Sequence, residues 1–291
     1  RRRPDIPFID TAGTAAGALA AYDKAVNAGA DFVVGPLGRD EVDAVYGRQQ
    51  LKVPVLALNR GKDAPPAGSA GFSLAPEDDG IVAAEYLRGR ERGKALVINS
   101  ADDTGRRAAA AFAQRFAQRG GQVVATIGVS DAVGDVGAQI RNAGQVDAVF
   151  LAVRAPQARL LAPQLALAGA GGATRVGTSQ LTVGSGKVEE DVALDGIVYP
   201  NEAWNVRSVS GLPSASQVAS TLPSARGAAG RLFAFGADAW KITAYLDKLS
   251  NEGGLDGATG TLFLDSNGNI LRQPAWSTFN GGRPMPIVGG R

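Results

Sequence analysis

The stretch KALVINSADDTGRRAAAAFAQRFAQRGGQVVATIGV, residues 94–129, decides the fold. Lys94–Asn99 is a short run of aliphatic and β-branched side chains, the composition of a strand. Residues 103–121 read as a long helix closed by Gly120 and Gly121, as helix ends commonly are. Residues 122–129 return to strand character. Strand, helix and strand in that spacing make one βαβ unit, which belongs to a mostly parallel sheet flanked by helices.

The same alternation extends both ways. Towards the N-terminus, Ile6–Asp10 reads as a strand and Thr14–Asn27 as a helix, with Leu19, Tyr22 and Val26 sharing one face. Residues 31–35 and 53–58 are strands around a helix at 39–50, and 61–71 is a loop with paired prolines. A second set begins near Phe72 with a helix over Asp78–Arg92. Beyond residue 129, 147–153, 174–178 and 196–200 are strands. Ala155–Ala168 is helical, and Pro163 is expected to kink it or end it early. A Ser/Gly-rich linker spans 205–230, Arg231–Leu249 is a helix, and a hairpin turns at Asn267–Gly268. The expected fold class is α/β: two Rossmann-like lobes with parallel sheets, joined by more than one crossover. One lobe comprises 1–73 with 202–265, the other 74–201 with 266–291.

With 291 residues, 45% hydrophobic and 20% charged, the chain has the balance of a globular protein with true cores. No apolar run approaches the ~20 residues of a membrane span, and no export signal is recognisable. Thirty basic residues face 28 acidic ones. Three of the basic residues are Arg1, Arg2 and Arg3, read as a solvated tail, and the others are scattered, so no nucleic-acid partner is expected. The chain has no Cys and no His. That removes disulfides, thiolate nucleophiles, the usual base of a serine hydrolase and the commonest zinc ligands. No cofactor and no metal site are expected, and the protein is read as non-enzymatic.

Several motifs have plain readings. VGSGKVEE (183–190) is a flexible loop: Leu181 stands where a phosphate loop needs glycine, and Val188 where it needs Ser or Thr. DSNGN (265–269) is a hairpin turn, since Trp276 occupies the position of a calcium loop's closing Glu. Glu77, Asp78 and Asp79 favour the positive end of a helix. The turn at Gly35–Pro36 offers N–H groups that could receive an anion. In parallel sheets ligands bind beyond the carboxyl ends of the strands. Asn59, Ser100, Arg154 and Ser179 stand at such ends and are expected to face a cleft between the lobes. Arg154 is placed to clamp a carboxylate or phosphate, or else is a rim charge. Tyr199 and Trp204 flank the return crossover, as ligand walls or as hinge packing.

Taken together, the segments 29–37, 53–59 and 71–80 resemble the first lobe and crossover of type I periplasmic binding proteins. RLFAFGADAWKITAYL (231–246) and GATGTLFLDSNGNILRQPAWSTFNGGRPMPI (257–287) resemble the C-terminal domain of the LpoA/LppC lipoprotein family, in particular Asp238-Ala239-Trp240 and Leu271–Trp276. The resemblance implies a type I periplasmic-binding-protein fold, in which a strand and a helix precede the FIDTAG segment; residues 1–5 hold neither. It also implies a periplasmic location, an outer-membrane lipid anchor upstream, and a class A penicillin-binding protein as partner, activated for peptidoglycan synthesis. The alternative is a solute receptor for an amino acid or small peptide, with a small ligand between the lobes. Architecture alone does not choose between them.

Overall fold

The computed structural model describes residues 4–48, 50–182, 187–225, 228–251 and 253–287. In chain order the elements begin with α1 (Ala15–Asn27), β1 (Val33–Val34), α2 (Arg39–Tyr46), β2 (Val55–Ala57) and β3 (Ala70–Phe72). Then follow α3 (Pro76–Arg88), β4 (Lys94–Ser100), α4 (Asp103–Gln118), β5 (Gln122–Val129), α5 (Gly137–Asn142), β6 (Ala148–Ala152), α6 (Ala155–Leu165) and β7 (Thr174–Gly177). The last group is α7 (Val188–Asp191), β8 (Val198–Asn201), α8 (Ala203–Val206), α9 (Ala215–Thr221), α10 (Ala228–Asn251), β9 (Leu255–Asp256), β10 (Thr261–Leu264), β11 (Asn269–Gln273), β12 (Ala275–Asn280) and β13 (Arg283–Pro286).

These elements form two compact units. The first takes the chain up to Ala75, Phe235–Leu255 and Leu262–Arg272. Its six-stranded sheet runs β1-β2-β3-β11-β10-β9, in which β1 pairs with β2, β2 with β3 and β3 with β11 in parallel. Successive residues of β2 feed opposite faces, as strand geometry requires. Val55 and Ala57 join Tyr22, Val42, Val45 and Tyr46, while Leu56 joins Phe72, Phe235, Ile242 and Ile270. Phe72 and Phe235 stack with ring centres 4.4 Å apart.

The second unit takes Pro76–Ala234, Asp256–Thr261 and the chain from Gln273 onward. Its seven-stranded sheet runs β13-β12-β8-β7-β6-β4-β5. Strands β5, β4, β6, β7 and β8 are parallel, and β12 and β13 add antiparallel strands. Leu96, Ile98, Val149 and Leu151 point to one face. Ala95, Val97, Ala148 and Phe150 point to the other, against Phe112 and Phe116 of α4. Phe112 stacks on Phe150 at 4.4 Å and on Phe116 at 5.0 Å. Each fully buried ring contributes roughly 1.5–3 kcal/mol.

Several expectations need correction. Ile6–Asp10 is not a strand: no described strand pairs with it, and the Phe8 ring is 96% exposed. An apolar pattern makes a strand only where a neighbour completes the hydrogen bonds. Residues 266–272, assigned to the second lobe, lie in the first unit because β11 pairs with β3 through Asn269–Gly71 and Ile270–Phe72. Residues 202–234, assigned to the first lobe, lie in the second unit. Trp204 there takes a backbone bond from its own N–H to Ala258 O at 2.9 Å.

The linker expected at 205–230 contains α9, whose start is capped by Ser214 Oγ accepting from Gln217 N. Pro163 sits inside α6 without ending it; the helix widens into a π turn over Ala166–Ala170, where Gly169 takes φ +88°. The reading of 183–190 falls partly on residues 183–186, outside those described. No described helix is long and apolar enough to cross a membrane.

Candidate functional site

Parallel pairing of β5, β4, β6 and β7 brings their carboxyl ends to one edge of the second unit's sheet. Ser100 ends β4, Arg154 follows β6 and Ser179 follows β7. Short turns into α4 and α6 then place helix N-termini at the same edge.

Asp102 organises this edge. It is the N-cap of α4, and its Oδ1 accepts from Gly105 N at 2.8 Å and from Ser100 Oγ at 2.9 Å. Its Oδ2 accepts from Arg154 Nη2 at 2.7 Å. The Gly105 N–H, then the Ser100 hydroxyl and Arg154, hold the Asp102 carboxyl below the usual carboxylate range, against the opposing cost of burial. Glycine is required at 105 by contact: a Cβ there would lie 2.2 Å from Ser100 Oγ and 2.7 Å from Ser100 O.

Arg154 is therefore not free to clamp an anion. Its guanidinium is bound to Asp102, and Asp131 lies 3.8 Å from Nη1. Two carboxylates around one cation disfavour a further anion. Nor is the Ser100–Asp102 pair a good nucleophile and base. A useful general base has a pKa near the working pH, and this carboxylate is shifted the other way with its lone pairs engaged.

Ser179 is anchored separately. Its N–H and Oγ both donate to Asp79 Oδ2, at 3.0 and 2.6 Å, with all groups buried. Asp79 was expected only to favour a helix dipole. The sequence carried no sign of a partner a hundred positions away, which the α3–β7 packing supplies. Of its neighbours, Glu77 pairs with Arg107 at 2.7 Å and Asp78 is buried.

The remaining candidates fall elsewhere. Tyr199 is 0% exposed and packs on Phe279 at 5.2 Å, so it walls no ligand. Among the described residues its hydroxyl makes no hydrogen bond of normal geometry, and burial pushes its pKa up to about 12, with Ser277 beside it opposing. Trp204 is also buried, stacked on Phe233 at 5.0 Å, with its indole N–H given to Pro213 O at 2.7 Å. Both are buried among aromatic side chains of the second unit.

In the first unit, Asn59 Nδ2 donates to Leu37 O at 2.9 Å and so braces the turn before α2. The Gly35–Pro36 turn offers no free N–H at Gly38, which donates to Glu41 Oε2 at 2.8 Å. Ser100 and Arg154 are thus brought together through Asp102, whereas Ser179 is tied to Asp79 and Tyr199 and Trp204 lie in cores. In the triplet that carried the resemblance, Asp238 is buried and Trp240 is 52% exposed.

The chain is similar to the penicillin-binding protein activator LpoA of Escherichia coli K12, 24% identical over 305 residues, covering 89% of this chain and 44% of that protein. The corresponding protein of Haemophilus ducreyi is 27% identical over 267 residues, covering 89% of this chain and 45% of that one. The chain thus spans less than half the length of these curated relatives. Among solved structures, the LpoA (YraM) C-domain from Haemophilus influenzae, described as a regulator of PBP1A, superposes with a TM-score of 0.79 at 21% identity, covering 93% of this chain and 86% of that one. A "putative branched-chain amino acid ABC transporter" from Rhodospirillum rubrum superposes with a TM-score of 0.70 at 20% identity, covering 98% and 88%. These likenesses establish the type I periplasmic-binding-protein fold. The LppC family, described as "LppC putative lipoprotein", matches residues 2–282. With all but its ends matched, the chain belongs to the LppC family.

Proposed function

We propose that this chain is a non-catalytic regulatory domain that binds and activates a class A penicillin-binding protein during peptidoglycan synthesis. In this reading it works in the periplasm as part of a longer lipoprotein held at the outer membrane. The observation that carries the proposal is the alignment of nine-tenths of the chain with proteins named penicillin-binding protein activators. The edge of the second unit's sheet supports it, because the polar groups that would receive a charged solute are bound to one another. Activation would follow from tighter binding to the active state of the synthase; a ~1.4 kcal/mol preference shifts that equilibrium tenfold.

The test is glycan polymerisation and peptide crosslinking by the cognate synthase, with and without this domain. Increased rates and a complex at micromolar concentrations are expected. Unchanged rates with no complex would defeat the reading. A solute receptor is the second reading, favoured by the superposition on the Rhodospirillum rubrum protein. Calorimetry against free amino acids and peptidoglycan peptides tests it.

A further inference from the structure

The opposite edge of the second unit's sheet, where the strands begin, carries a different electrostatic pattern. The turn from α3 into β4 reads LRGRERGK over residues 87–94, with Arg88, Arg90, Arg92 and Lys94 at alternate positions. Arg88 staples this turn to the one after α4: Nε donates to Arg119 O at 3.0 Å and Nη1 to Arg92 O at 2.7 Å. Arg119 is the C-cap of α4, and a cation is favoured at a helix C-terminus. Arg88 is thereby a residue of the fold.

Its neighbours exceed what the fold needs. Arg90 lies over the Tyr86 ring at 3.5 Å and donates to Tyr86 O. Arg92 donates through Nε to the Thr174 hydroxyl at 3.0 Å. Among the described residues, no ion pair joins Arg88, Arg90, Arg92 or Lys94 to a carboxylate. The acids nearby are spoken for or outnumbered. Glu85 is held by Arg115 at 2.5 Å and Arg119 at 3.4 Å. Asp147 accepts from the N–H groups of Gly93 and Lys94. Glu91 is the one acid within the run and is exposed, beside the exposed Arg92 and Lys94.

We infer that Arg90, Arg92 and Lys94 form a docking surface for an acidic face of a protein partner. The guanidinium groups are held by a ring face, a carbonyl and a hydroxyl, so they are pre-ordered, and guanidinium matches carboxylate geometry. A bilayer is the poorer fit. Surfaces that sit on anionic lipid pair their cations with inserted apolar side chains, and no exposed large apolar residue lies on either turn. A nucleic acid is a poorer fit too, because the aromatic ring next to the run, Tyr86, is covered by Arg90 and by Trp276 at 4.4 Å. That the partner is the synthase rests on the function proposed above.

The experiment compares the protein with its R90E/R92E variant against three probes: an oligoglutamate peptide, phosphatidylglycerol vesicles and the cognate synthase. Arg88 is left in place so that the staple survives. An unchanged melting temperature verifies the fold, and R90Q/R92Q serves if the double charge reversal does not fold. The parent is expected to bind the peptide at low salt, more weakly as salt rises, and the variant at least roughly tenfold more weakly. Equal binding by parent and variant, no binding by the parent, or preference for vesicles over peptide would each overturn the surface. If the peptide result holds and the parent does not bind the synthase, the proposed function fails and the surface stands. If the variant binds the synthase as tightly as the parent does, the surface does not serve that partner.

Discussion

The two units secure their sheets by different means. In the second, β4 to β8 are four to eight residues long, and facing aromatic and aliphatic layers cover both sides. In the first, β1, β2 and β3 are only two or three residues long. Strands that short leave backbone groups at their ends, and side-chain hydroxyls satisfy them. Tyr22 OH donates to Val53 O at 3.0 Å and accepts from Val53 N at 2.9 Å. Tyr46 OH donates to Ala70 O at 2.6 Å and accepts from Ala57 N at 3.2 Å. Ser69 Oγ accepts from Val55 N. Long strands are held by burial of side chains; short ones need polar braces as well. Buried tyrosine therefore means different things in the two units, since Tyr199 in the second has no such bond among the described residues.

The largest test of this contrast is Phe112→Ala, which empties the stack with Phe116 and Phe150. It should cost about 3–5 kcal/mol, read as a lowered denaturation midpoint. A loss below 1 kcal/mol would show that the layer relaxes and that burial is not what holds it. Next comes Gly80→Ala on α3. Alanine normally favours a helix interior over glycine by up to about 1 kcal/mol. Here its Cβ would lie 2.2 Å from Ala108 O, so helices α3 and α4 must part. The sign should reverse, with about 1–3 kcal/mol lost; a stabilised variant would refute close α3–α4 contact.

The tyrosines sharpen the comparison further. Tyr46→Phe leaves two backbone groups without their partner and should cost about 1–3 kcal/mol in chemical denaturation. Tyr199→Phe removes a hydroxyl that makes no normal bond and should stay within about 0.5 kcal/mol of the parent, or gain. Equal losses at both sites would erase the distinction.

Asp102 gives a smaller, pH-dependent effect. Its folded pKa is lowered. Its contribution is therefore present above the unfolded carboxylate value of ~3.9 and is lost as pH falls through the lower folded value. Asp102→Asn should flatten the acid limb of the stability profile below about pH 4 and leave its shape near neutrality unchanged. The smallest effect is expected at the exposed Asp23–Arg48 pair of the first unit, 2.6 Å apart. Asp23→Asn should produce no resolvable change, as surface pairs usually do not.

What the sequence determined by itself was the alternation of strands and helices, the helical stretches in 15–27 and 103–118, and the residue types standing at strand ends. These follow from patterns a few residues long: apolar spacing, caps and glycine stops. It also carried the resemblance, through the residues of α10 and the strands after it. The tertiary structure decided what local pattern cannot express. Ile6–Asp10 has the composition of a strand, but pairing is a property of two segments. β11 joined the first unit's sheet because Ile270 meets Phe72, nearly two hundred positions earlier. Arg154, by its sequence a clamp or a rim charge, is bound by Asp102, and Asp79, by its sequence a residue favouring a helix dipole, holds Ser179. A polar side chain's role depends on which group reaches it first within about 3 Å, and that neighbour is chosen by the packing of distant elements.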